Sequence, residues 1–299
     1  MKSGTLISLL IGCAIVGGLF WAVMRNPRTP SEQLLQKTQR AQIVSRMRGE
    51  LAAESEAEKA AVMAVTDHDS QLFADQALAR LAEVERDRLE LEKILPPGRE
   101  RDHLAAFEKE FVALQHVDVE LLQLAVKNTN LKATALAFGP AANAMREMDG
   151  ALGRIVSHSA AGSAPNAKKV MLLASAAQSA ALRIEVLLPP HIAEESDAKM
   201  DALEASMAAE AKQVDEDLKS LSALLPASEE VAAAVAAWTQ FGELRKQILA
   251  LSRENTNVRS LSMSLNQKRT LKLACEDALS ALEKEVAEER SAEAPSRPR

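Results

Sequence analysis

The sequence of 299 residues has no tyrosine, and only 3% of its residues are aromatic. Its 11 glycines and 11 prolines stand at a few points, so long stretches run without a residue that interrupts a helix. These shortages argue against β-sandwiches, β-barrels and doubly wound sheets. Alanine and leucine dominate instead, with glutamate, lysine and arginine beside them. This composition is typical of an all-α protein.

Positive charge is also in short supply. The 36 Lys and Arg residues are outnumbered by 42 Asp and Glu, which gives a net charge of -6 at pH 7. Without a basic surface or aromatic stacking platforms, the chain is not expected to bind nucleic acid. The two cysteines, Cys13 and Cys275, are too few for a disulfide framework or a structural zinc site, so they do not identify the redox compartment.

An uncharged apolar run, residues 5–24, lies near the N-terminus. As a helix it would match a hydrocarbon core of about 30 Å, and Trp21 near its end suits the membrane interface. We predict that residues 1–30 form an N-terminal anchor with one transmembrane helix. Beyond residue 30 no further span is expected, because polar and charged residues interrupt the apolar segment 170–188.

Two other interpretations of this run stay open. A cleaved signal peptide would have a shorter apolar region followed by a cleavage site of small residues, and this run continues past any such site. Residues 10–13, Leu-Ile-Gly-Cys, resemble a lipoprotein box in which Cys13 would carry the lipid. The apolar residues that follow Cys13 would then begin the mature chain, so we favour an uncleaved anchor.

Turn-forming residues and prolines divide the rest of the chain into eight predicted helices. Residues 66–70 are suited to a turn and an N-cap, and the small residues at 159–165 predict a linker. Pro189-Pro190 is expected to end the fifth helix, because proline removes a backbone donor. The predicted helices cover about residues 31–65, 70–95, 99–127, 130–158, 166–188, 192–225, 228–254 and 255–290.

The chain also contains an internal duplication. Three consecutive residues recur at an offset of 127 positions, as Asn128-Thr129-Asn130 and Asn255-Thr256-Asn257. The same offset pairs four further residues without a gap: Leu122 with Leu249, Leu124 with Leu251, Ala151 with Ala278, and Leu152 with Leu279. The duplication predicts two tandem antiparallel four-helix bundles, residues 31–160 and 163–290, before a disordered tail at 291–299.

We interpret each Asn-Thr-Asn triplet as a turn between two helices rather than as a ligand site. Asparagine tolerates the left-handed backbone conformation that ends a helix. Asparagine or threonine can then cap the next helix by accepting hydrogen bonds from its free N–H groups. The six triplet residues are therefore expected to set helix boundaries.

The segments around the triplets resemble a known family. Residues 124–155 and 251–282 resemble the C-terminal half of the four-helix-bundle sensor domain of bacterial methyl-accepting chemotaxis proteins, and residues 55–77 and 189–207 are similar to the earlier half. The resemblance implies a usually dimeric bundle that binds a small molecule or a ligand-carrying protein and shifts a transmembrane helix slightly. The sequence departs from the family pattern, because no second span or methylated hairpin follows the sensor segments. We therefore expect the chain to act through a separate signalling protein.

The expected location follows from the anchor and the resemblance together. The family places such bundles outside the cytoplasm, whereas the charge distribution favours the large domain inside, since Lys2 precedes the span and more basic residues follow it. A short tail with two positive charges can still remain inside. We expect a single-pass protein of the bacterial inner membrane, able to form a homodimer, with its helical domains in the periplasm.

No convergent catalytic, phosphate-binding or metal-binding set is evident, so we expect neither enzyme activity nor a cofactor. The nearby acids Glu54, Glu56 and Glu58 are interpreted as a solvated helix face. Cys275 and four methionines are expected to fill the core. The candidates for ligand binding are charged residues that border an apolar bundle: Arg183, His191, Glu194 and Arg259.

Two functions are compatible with these features. The first is a non-enzymatic, chemoreceptor-like sensor or ligand-binding protein. The second is a helical scaffold that pairs with another membrane or signalling protein without a ligand. A polar cavity with an inward-pointing Arg or Asn would favour the sensor, and a fully apolar core in both bundles would favour the scaffold.

Overall fold

The computed structural model describes residues 30–162 and 165–292, and the regular structure in these ranges is entirely helical, as predicted. The predicted transmembrane helix, Cys13 and the tail beyond residue 292 lie outside the described residues. The helices are α1 (Pro30–Met63), α2 (Asp67–Ile94), α3 (Arg99–Ala125), α4 (Thr129–Leu136), α5 (Ala142–Ala161), α6 (Ala167–Ala193), α7 (Asp197–Leu224), α8 (Glu229–Glu254), α9 (Thr256–Met263) and α10 (Arg269–Ala292).

Two single π-helical turns continue the shorter helices. Ala137–Ala141 joins α4 to α5, and Ser264–Lys268 joins α9 to α10. These turns lie at equivalent positions in the two copies of the duplication, because the offset of 127 positions relates Ala137 to Ser264. The duplication therefore preserves an irregularity of the backbone as well as a residue pattern.

The prediction that the fifth helix ends before Pro189-Pro190 is wrong, because α6 continues through both prolines to Ala193. Proline removes one backbone donor but does not force an end where the following turn is held from elsewhere. His191 and Ile192 are buried, and the His191 ring is within hydrogen-bonding distance of groups on α7 and α8. The next helix, α7, begins at Asp197.

The described residues form two compact units that differ from the sequential halves 31–160 and 163–290 expected from the duplication. Unit 1 comprises residues 30–49, 83–108 and 276–292. Unit 2 comprises residues 50–82 and 109–275, with the gap at 163–164. Segments of α1, α2, α3 and α10 therefore occur in each unit.

Unit 1 is built from the first part of α1, the last part of α2, the first part of α3 and most of α10. Its buried apolar residues come from all four segments: Ile43, Val44 and Met47 from α1, Val84 and Leu91 from α2, Leu104 and Phe107 from α3, and Leu279, Leu282 and Val286 from α10. Ion pairs join Arg48 to Glu283 and, at 3.3 Å, Arg40 to Glu100. The helix that completes this unit thus comes from the second half of the chain.

Unit 2 contains the reciprocal arrangement. Here α4 and α5, from the first half of the chain, pack against α6 and α8, and α7 packs against α6 and α8. The core includes Met148 and Leu152 from α5, Ile184 from α6, Val214 and Leu218 from α7, and Phe241 and Ile248 from α8. In the same unit, Met263 of α9 packs on a cluster from α1, α2 and α3 that includes Ala61, Ala77 and Leu121. The helices that follow each triplet therefore pack against helices of the other copy.

Helix α6 is the one helix in the described ranges that is long and apolar enough to cross a membrane by length and composition alone. The sequence does not predict such a segment beyond residue 30. Its buried residues belong to the core of unit 2. Its polar groups bond to neighbouring helices, since Arg183 pairs with Glu210 of α7 and the Gln178 side chain donates to Asp149 of α5. These contacts account for α6 as a core helix.

Candidate functional site

The two Asn-Thr-Asn triplets form turns of the same shape. Asn128 has φ 52° and Asn255 has φ 53°, and both are buried. This left-handed conformation is unfavourable for most side chains, but asparagine adopts it with little strain. Asn255 directly follows the end of α8, whereas α3 ends at Ala125, before Asn128. Each asparagine precedes the next helix, which begins at Thr129 or Thr256.

The triplets meet each other in the interior of unit 2. The backbone N–H of Thr129 donates to the Thr256 hydroxyl at 3.2 Å, and the N–H of Thr256 donates to the Thr129 hydroxyl at 3.1 Å. The N–H groups of Asn130 and Asn257 donate in the same reciprocal way to the side-chain oxygen of the other residue, each at 3.1 Å. Each triplet therefore caps the first turn of the other copy's helix, rather than that of its own as the sequence analysis expected.

The remaining side-chain amides of the triplets are also satisfied. The Asn128 side chain donates to Ser70 at 2.9 Å, and the Asn130 side chain donates to Asn255 Oδ1 at 2.8 Å and to the Ile192 carbonyl at 2.7 Å. The Asn255 side chain donates to the Glu194 carbonyl at 2.8 Å. A buried polar network whose donors are satisfied fixes one packing arrangement.

The reciprocal threonine caps predict a measurable coupling. Thr129→Val or Thr256→Val should each destabilise unit 2 by roughly 1–3 kcal/mol, because each leaves the other copy's buried N–H without an acceptor. The two losses should not add, since the two hydroxyls also lie 3.2 Å apart and either variant removes the hydrogen bond between them. A double-mutant cycle by urea unfolding should give a coupling above about 0.5 kcal/mol. Additive losses would show that the two caps act independently.

The four residues predicted to bind a ligand make separate contacts or are exposed. Arg183 forms two hydrogen bonds of 2.8 Å with Glu210, and Arg259 is exposed. Glu194 accepts from the N–H of Ser196, which lowers the pKa of Glu194 and helps to start α7. The structure therefore assigns local structural contacts to Arg183 and Glu194.

His191 is the one ligand candidate that is fully buried. Its Nδ1 lies 2.8 Å from the Ser252 hydroxyl and its Nε2 lies 2.9 Å from Glu204 Oε1. Glu204 also accepts from Arg253 at 2.7 Å. The hydrogen bond from Arg253, and after it the one from His191, lower the pKa of Glu204. His191 thus joins the end of α6 to α7 and α8.

A groove of about 440 Å³ lies between α7 and α8. The basic residue that lines it is Arg245, which is half-buried and whose Nη1 has no hydrogen-bond partner. The guanidinium carbon lies 5.7 Å from the centre of the Trp238 ring, at the distance of a cation–π contact. Burial lowers the pKa of Arg245, while Asp215 nearby opposes that effect. The groove is lined by Asp201, Glu204, Ala205, Met207, Ala208, Arg245 and Leu249.

A second polar site, the Lys268 cluster, consists of Lys268, Glu54, Glu58 and Asp118. Lys268 is only 2% exposed, and the three carboxylates have no exposed surface. The Lys268 Nζ lies 2.5 Å from Glu54, 2.8 Å from Asp118 and 3.1 Å from Glu58. The interpretation of Glu54 and Glu58 as a solvated face is therefore wrong. Their spacing of one helical turn places both on the same inward face, and only Glu56 between them is exposed.

Lys268 and Arg245 are absent from the residues predicted from the sequence. The spacing of Glu54 and Glu58 already indicates that both acids lie on one face of α1. It could not indicate that this face is buried, because the partners Asp118 and Lys268 are distant in the sequence. In the described ranges, no group of three or more His, Cys, Asp or Glu residues is placed to hold a metal ion. Comparison of the chain with protein-family models and with curated proteins gives no match.

Proposed function

We propose that this protein is a membrane-anchored, non-enzymatic sensor that binds a small carboxylate in the groove beside Arg245. The observation that supports this function is the Nη1 atom of Arg245, which is buried without a hydrogen-bond partner at the wall of the groove. A half-buried guanidinium is costly when one of its donors is unused. If the guanidinium turned toward the groove, a carboxylate ligand would supply the missing acceptor in a charge-assisted hydrogen bond.

The other wall of the groove restricts the ligand further. Glu204 and Asp201 line it, and both carboxylates already accept hydrogen bonds from Arg253. A ligand with several negative charges would meet these acids at close range, so a polyphosphate is disfavoured. A carboxylate that also carries a hydroxyl or amine donor fits better, because the donor can face Asp201 while the carboxylate faces Arg245.

The setting of the sensor is part of the same proposal. Residues 5–24 would anchor it in the bacterial inner membrane, with the helical units in the periplasm and a separate signalling protein as the recipient. The apolar, uncharged character of this run supports the anchor. The resemblance of residues 124–155 and 251–282 to chemoreceptor sensor domains supports the periplasmic location, and it supports a homodimer as well.

A helical scaffold is the second candidate, and one surface feature favours it. Leu265 and Leu273 are 58% and 50% exposed on the segment that contains the second π turn and α10. Together with Val117 of α3 they line an open surface depression of about 770 Å³. A partner helix could cover these leucines. Ligand binding at Arg245 is the property that separates the sensor from this scaffold.

Thermal unfolding of the full chain in detergent, with a panel of small carboxylates, tests the proposed function. At least one hydroxy or amino carboxylate should raise the unfolding temperature, because a ligand that binds only the native state stabilises it. Arg245→Met should weaken that binding by roughly 10- to 100-fold, the loss expected for one charge-assisted hydrogen bond.

Arg183→Met is the matched control for that experiment. It removes an arginine from the neighbouring helix that pairs with Glu210 at the surface and does not line the groove. Its binding should equal that of the unaltered protein. If no carboxylate shifts the unfolding temperature, or if Arg245→Met and Arg183→Met bind alike, the sensor proposal fails and the scaffold is favoured.

A further inference from the structure

The charges of the Lys268 cluster do not balance. One ammonium group faces three carboxylates, so the cluster would carry two net negative charges if every group were ionised. These charges would lie in the interior, since all four side chains are almost completely buried. Burial of uncompensated charge is strongly unfavourable, and protonation is the usual way in which a protein relieves it.

The contacts within the cluster also favour uptake of protons. Lys268 lies within ion-pair distance of one oxygen of each acid, but its hydrogen bond goes to Glu54 Oε1. The second oxygen of Glu54 and both oxygens of Glu58 and Asp118 are buried without a hydrogen-bond partner. An ionised carboxylate in a low-dielectric interior requires donors on both oxygens. These atoms are therefore places at which the cluster can take up protons.

No other buried charge on the described helices around the cluster compensates it. Helix α2 packs on α1 and α3 in this part of unit 2 through apolar residues such as Ala74 and Ala77. In the described ranges, the buried charged groups that α1, α2, α3 and the second π turn contribute to unit 2 are these three acids and Lys268. The Arg80–Glu50 pair between α2 and α1 lies at the surface. The proton balance of the cluster therefore depends on its own four members.

The pKa values of the cluster agree with its excess of negative charge. Burial, followed by the charge of Asp118, raises the pKa of Glu54 to about 8. Burial raises the pKa of Asp118 to about 6, although Lys268 opposes it. For Lys268, burial alone would lower the pKa, but the charges of the three acids outweigh it and the pKa is raised. Lys268 thus stays charged while Glu54 and Asp118 exchange protons near neutral pH.

We propose that the Lys268 cluster is a reversible proton-binding site that sets how firmly the segment around Lys268 stays packed on α1 and α3. Lys268 ends the π turn Ser264–Lys268, where the regular helical ladder is interrupted. Such turns are single-turn irregularities that often occur at functional sites. When the cluster loses a proton, repulsion among the acids loosens this segment, and when it regains the proton the segment packs tightly again.

The sign of the pH dependence follows from the raised carboxyl pKa values. The folded state binds more protons than the unfolded state between the ordinary carboxyl pKa and the raised values, so this contribution to stability is complete at lower pH. It is lost as the pH rises through about 6 and then about 8. Alkaline conditions therefore open the segment.

Hydrogen exchange of the full chain in detergent, followed by mass spectrometry between pH 6 and pH 9, tests the proposal. After correction for the intrinsic exchange rate, the open population of a peptide covering residues 260–275 should rise with pH. One linked proton predicts a rise of about tenfold per pH unit up to about pH 8, the raised pKa of Glu54, and little further rise above it. Glu54→Gln, which mimics the protonated acid, should remove most of this rise.

Glu56→Gln is the matched control, because Glu56 lies on the same turn of α1 but is exposed. It should leave the pH dependence unchanged. Infrared spectra of the unaltered protein supply a readout that does not depend on a variant folding: a protonated-carboxyl band should be present at pH 6 and lost by pH 9. A band absent at pH 6, exchange independent of pH, or equal effects of the two variants would overturn the proposal.

Discussion

Replacing Lys268 by methionine is expected to destabilise the protein by about 3–5 kcal/mol at neutral pH, as measured by urea unfolding. Methionine keeps most of the length and volume of the side chain but removes its charge. The acids Glu54, Glu58 and Asp118 would then remain in the interior without a cation. Removal of one partner from a buried ion pair is much more damaging than loss of a surface pair, because the remaining charge keeps its desolvation penalty.

The pH dependence of this loss distinguishes charge from packing. Protonated acids need no cation, so the destabilisation by Lys268→Met should shrink as the pH is lowered. Lys212→Met is the control, since Lys212 is 80% exposed and pairs with Glu216 at the surface. It should change the stability by no more than about 0.5 kcal/mol. A loss for Lys268→Met below about 1 kcal/mol, or one that is the same at pH 5 and pH 7, would contradict the charge explanation.

Asn255→Ala is expected to produce the second large effect. Alanine at φ 53° costs roughly 1–2 kcal/mol more than a residue that tolerates the left-handed conformation. The substitution also removes the hydrogen bonds of the Asn255 side chain with the Glu194 carbonyl and with the Asn130 side-chain amide, at a cost of roughly 1–3 kcal/mol. The free energy of unfolding from a urea titration should therefore fall by the sum of both contributions.

A glycine at the same position separates the two causes. Asn255→Gly keeps the left-handed backbone free of strain but loses the side-chain bonds, so it should be less damaging than Asn255→Ala. The control is Asn266→Ala, since Asn266 is exposed and its side chain bonds to the carbonyl of Ser262 in the preceding turn. Its effect should be within about 0.5 kcal/mol. Equal losses for the glycine and alanine variants would show that backbone strain contributes nothing.

The position of Lys268 also explains why the two copies exchange their last helices. The duplication pairs Lys268 with Ala141 at the same offset of 127 positions. If the chain folded as two sequential bundles, Ala141 would face the three buried acids and leave them without a cation. The exchanged arrangement instead brings Lys268 to the acids, while Ala141 is buried elsewhere in unit 2. Buried ionic groups of this kind can select one packing arrangement over another.

The helices and their duplication could be predicted because their signals are local. Breakers, caps and the three-to-four-residue spacing of apolar side chains act within a few residues, and they placed α3 and α8 almost at their observed bounds. The error at Pro189-Pro190 shows the limit of such signals. There, contacts of His191 with Ser252 and Glu204, which are distant in sequence, kept the last turn of α6 helical.

The candidate sites were less predictable, because each depends on which helices become neighbours. Arg183 was predicted to bind a ligand from its place beside an apolar face, yet both oxygens of Glu210 on α7 accept hydrogen bonds from one edge of its guanidinium. Arg245 carries the same guanidinium group, but its Nη1 has no hydrogen-bond partner. The difference between the two arginines lies in the neighbouring helix and not in their own local sequence.

The sequence by itself determined that the described chain is helical, that it is duplicated, and that Asn128 and Asn255 turn the chain at equivalent points. These properties follow from backbone propensities and side-chain periodicity, which act over short distances. Only the tertiary structure decided that the copies exchange helices, that Glu54 and Glu58 point inward, and that Arg245 lines a groove. Helices with the same amphipathic pattern can pack in several combinations, and the choice among them depends on burial and charge compensation between residues far apart in the chain.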